Sequence, residues 1–281
     1  MQTLDHTSPI IVFTDLDGTL LDHDTYGFAP ACDAVSFLKK AGIPLILNSS
    51  KTCAEILGIR KELGNRHPFI AENGSVVGIP DGYFVGRSPE DMGFTMENGL
   101  WIKCIGGERD DILDVLHRLR NTGGFPFEGF ADMTVARLAK ITGLSEKKTG
   151  LANQRLSTEP IRWLGTDDLW HRFSREIADA GLGWVQGGRF ISISRPFDKR
   201  DGVELLLDFY RGKFPKSPVT IGLGDSPNDR AMLDIMDIAV VIRSGRSDRV
   251  APENAGTVIR TTLRGPHGWQ QAMDMIFKRN T

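Results

Sequence analysis

Apolar positions along this chain fall into two patterns. Short, largely apolar runs, several rich in β-branched residues, fit strands buried on both faces of a parallel sheet. They lie at residues 10–13 (Ile-Ile-Val-Phe), 43–47, 69–71, 219–223 and 238–242. Between and after them apolar residues recur at helical spacing. Ala34, Val35 and Leu38 predict a helix over 31–41, and a second follows at 53–63, with Ser and Thr hydroxyls near its start. Val203, Leu206 and Leu207 predict one over 202–210, a further helix runs through 228–236, and Trp269, Met273 and Ile276 place the last at 268–277. Asn73-Gly74 is a strong turn signal, and a hairpin is expected over 75–85 around Asp81-Gly82. Alternating strands and helices predict an α/β fold with a parallel sheet.

From about residue 86 to 195 the pattern changes. The span is far too long for a loop, so it forms a domain of its own. A strand is expected at 100–105, helices at 109–120, 131–141, 145–152 and 167–180, and a strand at 160–164. Residues 184–186 and 189–194 straddle Gly187-Gly188 as a hairpin. Grouped this way, they predict an α+β insert, a small sheet with helices on one face. The expected division is a core of 1–86 and 196–281 with an insert of 87–195. The glycine-rich passage from Gly86 to Gly99 and the segment before Lys199 are candidate hinges.

Composition adds mainly exclusions. A chain of 281 residues can bury a sizeable core, and a net charge of −2 marks neither a nucleic-acid surface nor a polybasic membrane patch. Cys32, Cys53 and Cys104 lie far apart without a Cys-x-x-Cys, which reads as free thiols in a reducing cytoplasm. Residues 1–9 carry no apolar signal core, and no apolar run reaches membrane-spanning length. The histidines are scattered without ligand spacing.

Charge placement changes the picture more. The first strand runs straight into Asp15-Leu16-Asp17-Gly18-Thr19. In open α/β sheets ligands bind beyond the carboxyl ends of the strands. Extended backbone directs Asp15 and Asp17 to the same side, where like charges repel unless a cation or a proton intervenes. A calcium loop of the EF-hand kind fails, because it needs glycine where Leu20 stands. The strand at 219–223 also ends in paired acids, Asp225 and Asp229, within Gly224-Asp225-Ser226-Pro227-Asn228-Asp229. Carboxylates gathered at one sheet edge favour a hard cation, and oxygen-only donors favour Mg²⁺ over zinc. Mg²⁺ commonly shares its shell with a substrate phosphate. Residues 48–52, Asn-Ser-Ser-Lys-Thr, offer hydroxyls and a lysine at a strand end beside a helix start, a setting for an anion or for plain capping. Ser49 and Lys199 would complete a phosphoryl pocket, and a carboxylate beside Mg²⁺ can act as a nucleophile.

These four segments together resemble the haloacid dehalogenase superfamily of phosphatases. Asp15–Leu20 is similar to its first motif, Ser49 to its second, Lys199 to its third, and Gly224–Asp229 to its fourth. The resemblance implies a Rossmann-like parallel-sheet core with an inserted cap of the C2B type. Narrower likeness, over residues 48–52, 72–74, 152–160, 222–229 and 264–269, is to mannosyl-3-phosphoglycerate phosphatases. By that resemblance the chain would remove phosphate from a 3-phosphoglycerate carrying a sugar, giving mannosylglycerate, a compatible solute. It implies Asp15 as nucleophile, Asp17 as acid and base, Ser49 and Lys199 on the phosphoryl oxygens, and Mg²⁺ held by Asp15, the Asp17 carbonyl and Asp225, with Asp229 contributing less directly. Lys51, Asn73, Arg155, Ser157 and Glu159 are its candidate substrate contacts. Related chains often have glycine soon after the third-motif lysine; here the run is Lys199-Arg200-Asp201-Gly202, and Arg200 is the rival claimant.

A phosphatase acting on glucosyl-3-phosphoglycerate or sucrose 6-phosphate, a phosphomutase, and an inactive sugar-phosphate binder are the competing readings. The expected partner is a small phosphorylated sugar-glycerate, with no nucleic acid and no membrane.

Overall fold

The computed structural model describes residues 8–187 and 189–278. The first part of the core runs β1 (Ile10–Thr14), α1 (Cys32–Lys40), β2 (Leu45–Asn48), α2 (Cys53–Leu63), β3 (Phe69–Ala71) and β4 (Val76–Pro80). Two further strands follow, β5 (Thr95–Glu97) and β6 (Leu100–Cys104). The insert comprises α3 (Arg109–Gly123), β7 (Phe127–Gly129), α4 (Val135–Thr142), α5 (Glu146–Ala152), β8 (Glu159–Trp163), α6 (Asp167–Asp179), β9 (Gly183–Gly187) and β10 (Phe190–Ser194). The chain returns through α7 (Lys199–Lys213), β11 (Val219–Gly224), α8 (Arg230–Leu233), β12 (Ile238–Arg243), β13 (Thr257–Arg264) and α9 (Gly265–Phe277).

Among the described residues the strands form a nine-stranded sheet, ordered β13-β12-β11-β1-β2-β3-β4-β6-β5, and a four-stranded sheet, β7-β8-β10-β9. The large sheet is parallel from β13 to β3. Its two faces explain the continuous apolar runs. Val12, Leu45 and Leu47 pack against Leu38 of α1, Ile56 of α2 and Trp269 of α9. Ile11, Phe13 and Ile46, alternating with them, face Val203, Leu206 and Phe209 of α7 and Met232 of α8. In the small antiparallel sheet one face is covered by α3 and α6 through Ile112, Leu116, Phe173 and Ile177. The other face of β10 presents Phe190 and Ser192 towards the core. No described helix is long and apolar enough to cross a membrane.

Several expectations need correction. The hairpin expected over 75–85 does not form: β4 turns away at Asp81 and pairs antiparallel with β6, Val76 opposite Cys104 and Pro80 opposite Leu100. Tyr83 and Phe84 instead pack on Phe209 and Tyr210 of α7, so burial of two aromatics outweighs a local turn signal. The strand expected at 100–105 therefore extends the large sheet, although it falls within the span read as insert. The two connections to the small sheet lie instead near residues 105–108 and 195–198. They touch there: a Cβ on Gly106 would sit 1.8 Å from the Phe197 ring. The helix expected at 131–141 starts later, after a 3₁₀ turn at Phe130–Asp132, where the Thr134 hydroxyl caps α4. The helix expected through residue 236 is a 3₁₀ turn, Pro227–Asp229, followed by the short α8. Strand β13 was not foreseen. The hairpin pairing of β9 with β10 is present, with Gly188 of its turn outside the described residues.

Candidate active site

Parallel pairing brings the acidic strand ends together. β1 and β11 run in register from Ile10 opposite Val219 to Thr14 opposite Leu223, and the Asp15 amide donates to the Leu223 carbonyl. Asp15 and Asp225, 210 residues apart in sequence numbering, thus leave the sheet at one edge. Asp15, Asp225 and Asp229 are buried, and a carboxylate oxygen from each lies within 4.8 Å of the others.

Lys199 enters this cluster from α7. Asp198 caps that helix, accepting from the Arg200 amide at 2.8 Å, while Asp201 accepts from the Asp198 amide at 2.7 Å. The cap makes Lys199 the first helical residue. Loop 72–74 fixes its depth, because Gly74, at φ +106°, lets the Asp198 carbonyl come where a Cβ would stand 1.9 Å away. The Lys199 ammonium lies 2.5 Å from Asp15 Oδ1 and 2.5 Å from Asp229 Oδ1. Burial works against its charge, but the two carboxylates outweigh burial and hold it protonated above its usual range. Burial pushes the Asp15 carboxyl up; the Lys199 ammonium opposes this, and Asp229 and Asp17 reinforce it. Asp225 is pushed up to about 6, by burial first and then by the Asp229 charge.

Three carboxylates around one ammonium are short of positive charge, and all their available donors are oxygen. This set fits a hard divalent cation such as Mg²⁺. Asp229 is already engaged, Oδ1 by Lys199 and Oδ2 by the Asp225 and Ser226 amides at 3.0 Å each. Its carboxylate therefore braces the loop and the lysine more than it faces an ion.

The remaining expected residues divide sharply. The Asp17 side chain stands outside the three-carboxylate cluster and pairs with Lys51, Nζ to Oδ2 at 2.8 Å. The Asp17 charge outweighs burial and raises Lys51. Ser49 is fully buried beside the site, its hydroxyl accepting from the Lys51 amide at 3.3 Å. Asn73, left-handed at φ 59°, lines a cavity of about 1230 Å³ between the two sheets, and Arg155 lines it from the insert. Ser157 and Glu159 do not. Ser157 donates to the Gly107 carbonyl at 2.6 Å, and Glu159 is bound by Arg109 at 2.5 Å and by the Ala131 amide at 2.9 Å. Both are fully buried where the insert joins the core, so their side chains are spent on structure. Arg200 is exposed and paired with Glu204, pointing away from the carboxylates that hold Lys199.

The structure also adds residues. Trp269 Nε1 donates to Thr14 Oγ1 at 3.0 Å, and that hydroxyl donates to the Asp15 carbonyl at 2.7 Å. A residue read only as packing thus steadies the strand end that carries Asp15. Glu72, buried at φ 50°, accepts from the Leu156 and Ser157 amides and from Thr158 Oγ1, joining the core loop to the insert. Arg243, Arg246, Arg249 and Arg264 line the core side of the cavity. Scattered over 22 residues, they gave no sign in the sequence of a shared cavity.

Residues 12–88 match the family of haloacid dehalogenase-like hydrolases. Across nearly the whole chain the fold is shared with solved structures of low sequence identity. BT1666 from Bacteroides thetaiotaomicron, described among phosphatases of the haloalkanoate (HAD) superfamily, is 16% identical, with a TM-score of 0.66 over 99% of this chain and 98% of that one. BT4131, described as a HAD subclass IIB sugar phosphatase, is 16% identical with a TM-score of 0.63, covering 95% and 99%. A Thermoplasma acidophilum protein, 0175, is 14% identical with a TM-score of 0.67, covering 97% and 100%. Such matches show a haloacid dehalogenase-type α/β core.

Proposed function

We propose that this chain is a Mg²⁺-dependent phosphatase that hydrolyses mannosyl-3-phosphoglycerate through an aspartyl-phosphate on Asp15. One observation carries the proposal: a buried aspartate at a strand end, gripped by Lys199 beside Asp225, opens on a cavity walled by both sheets. The matched hydrolase family and the sugar phosphatase among the structures sharing this fold support the reaction class.

In this reading Asp15 attacks phosphorus while the ester oxygen departs. The new Asp15 oxygen–phosphorus bond forms as the phosphorus–ester bond breaks. Asp17 donates a proton to the departing oxygen, then accepts one from the water that cleaves the aspartyl-phosphate, releasing phosphate and restoring Asp15. Lys51, paired with Asp17, holds that carboxylate in place between the steps. Lys199 and Ser49 offset charge on the phosphoryl oxygens. Mg²⁺, which Asp15, Asp225 and the Asp17 carbonyl would hold, supplies further charge neutralisation when bound.

The cavity is large for a simple phosphoester, which favours a substrate with a sugar. Phe130 and Phe190, edge to face at 4.9 Å, offer a sugar an apolar wall, and Gln186 and Ser192 offer it polar contacts. Segment 106–198 would then act as the cap. Phosphate release with Mg²⁺ from mannosyl-3-phosphoglycerate, glucosyl-3-phosphoglycerate, sucrose 6-phosphate and a chromogenic ester tests the proposal. The expected order places the mannosyl ester first in kcat/KM. A preference for sucrose 6-phosphate would displace the assigned substrate, and no release from any ester would displace the phosphatase reading.

A further inference from the structure

Four arginines reach one side of the cavity from two neighbouring strands. Arg243 ends β12, Arg246 and Arg249 lie in the loop after it, and Arg264 ends β13. Because β12 and β13 are parallel to β11, all four emerge at the edge that carries Asp225. Their loop is built rather than loose. Ser244 Oγ donates to the Asp225 carbonyl at 2.8 Å, Ser247 Oγ accepts from the Ser244 amide at 3.1 Å, and Arg260 donates to the Ser247 and Val250 carbonyls.

Among the described residues none of the four pairs with an acid. The Arg243 guanidinium donates only to the Thr262 carbonyl, and the other three guanidinium groups donate to none of the described residues. Of the aspartates that share the cavity, Asp15 is engaged by Lys199, Asp17 by Lys51, Asp22 by the amides of Asp24 and Thr25, and Asp225 by Thr19; Asp24 lines it as well, and no ion pair joins any of them to the four arginines. Four guanidinium groups without an acid partner, gathered on one side of the cavity, mark a place for negative charge. The reacting phosphoryl group has its own partners at Asp15, Lys199 and Ser49. The insert's contribution to the cavity is different in kind, Phe130, Phe190, Gln186 and Ser192 with the single cation Arg155.

We infer that Arg243, Arg246, Arg249 and Arg264 form a subsite, carried by the core and not by the cap, for a carboxylate on the phosphoester substrate. A planar guanidinium matches a carboxylate through two parallel hydrogen bonds, a fit that an alcohol in the same position does not offer. The inference rests on the phosphoester reading above and assigns the carboxylate of its substrate to the core. It also separates two tasks: the core reads the acid and the cap reads the sugar.

The test compares 3-phosphoglycerate with glycerol 3-phosphate, which carries a hydroxymethyl group in place of the carboxylate. Steady-state phosphate release with Mg²⁺ gives the ratio of kcat/KM for the two esters. The wild type should favour 3-phosphoglycerate. Arg246→Gln, Arg249→Gln and Arg264→Gln, combined, should lower that ratio at least tenfold, mainly through KM, and the corresponding Lys variants should restore part of it. Arg211→Gln, far from the cavity on α7, serves as the charge control and should leave the ratio unaltered. An unchanged ratio in the combined variant, or equal preference in the wild type, overturns the subsite. Should the wild type release no phosphate from either ester, release from the mannosyl ester decides the phosphatase reading. Calorimetric titration of the same two esters with Mg²⁺ then decides the subsite, which stands only if the combined variant loses the selective binding of 3-phosphoglycerate.

Discussion

Thr158 Oγ1 donates to Glu72 Oε2 at 2.6 Å, so a carboxylate from the core edge is buried inside the junction with the insert. The same carboxylate accepts from the amides of Leu156 at 2.8 Å and Ser157 at 3.1 Å. Replacing it with alanine strands two buried amides and a hydroxyl. Each unmet group costs roughly 1–3 kcal/mol. Glu72→Ala should therefore lower the denaturation midpoint clearly, and Glu72→Gln, which keeps one acceptor, should lower it less. Equal midpoints in both variants and the wild type would mean that this tie is absent in solution.

Asp15→Asn keeps the shape of the proposed nucleophile and removes its charge. Turnover should fall by several orders of magnitude, a barrier increase above roughly 5 kcal/mol. Folding should survive, because Lys199 keeps Asp229 and the crowded acids lose one charge. Phosphate release with Mg²⁺, beside a thermal melt, reads both effects. Near-normal turnover would remove Asp15 from its role.

Lys199→Met takes the buried ammonium out of the acidic cluster. Leaving buried charges without their partner typically costs about 3–5 kcal/mol. The variant should therefore melt well below the wild type in a chelator, and added Mg²⁺ should recover more stability in the variant than in the wild type. Identical melting in the two proteins under chelation would contradict the electrostatic picture of the site.

His67 supplies a pH signature remote from the acids. Burial pulls its imidazole down to about 4, with the Lys213 and Arg60 charges adding to the effect. An unfolded chain protonates histidine near 6.5. Between those values the unfolded state binds more protons, so stability is fully present above about pH 6.5 and is lost as pH falls towards 4, by at most ~3 kcal/mol. Melting of the wild type across this window should show the loss, and His67→Phe should flatten it. The Tyr83 hydroxyl, 2.7 Å from His67 Nδ1, also contacts Tyr210, so the substitution leaves it one partner.

Removal of the insert depends on where the cut is made. Deleting 87–195 takes β5 and β6 from the large sheet and uncovers β4, whereas joining 107 to 195 keeps every strand of that sheet. The longer deletion should aggregate through the exposed edge. The shorter one should stay monodisperse and keep some activity on a small chromogenic ester while losing selectivity for the sugar ester. Size-exclusion chromatography and kinetics distinguish these outcomes, and full sugar selectivity in the shorter protein would take specificity out of the cap.

Much of the core was legible because its signals are local. Short, largely apolar runs announce strands covered on both faces, and β1, β3 and β11 lie where those runs do. Helix α2 spans the expected residues, with Thr52 and Glu55 closing a capping box at its start. The acids placed just beyond β1 and β11 needed only the rule that parallel strands end at one edge. What stayed hidden depends on pairing between distant residues. β13 sits at the sheet edge with mostly exposed Thr and Arg positions, so no apolar run marks it. β6 has an ordinary strand pattern, and only its register with β4 assigns it to the large sheet. Glu159 reads as a polar candidate until Arg109, 50 residues earlier, neutralises it in the junction. The arginine cluster is four unrelated positions until two parallel strands deliver them to one cavity. Sequence patterns encode which side chains leave water, because burial acts residue by residue. Which charge meets which is decided by the closed fold, since a Coulomb contact depends on distance in space and not along the chain.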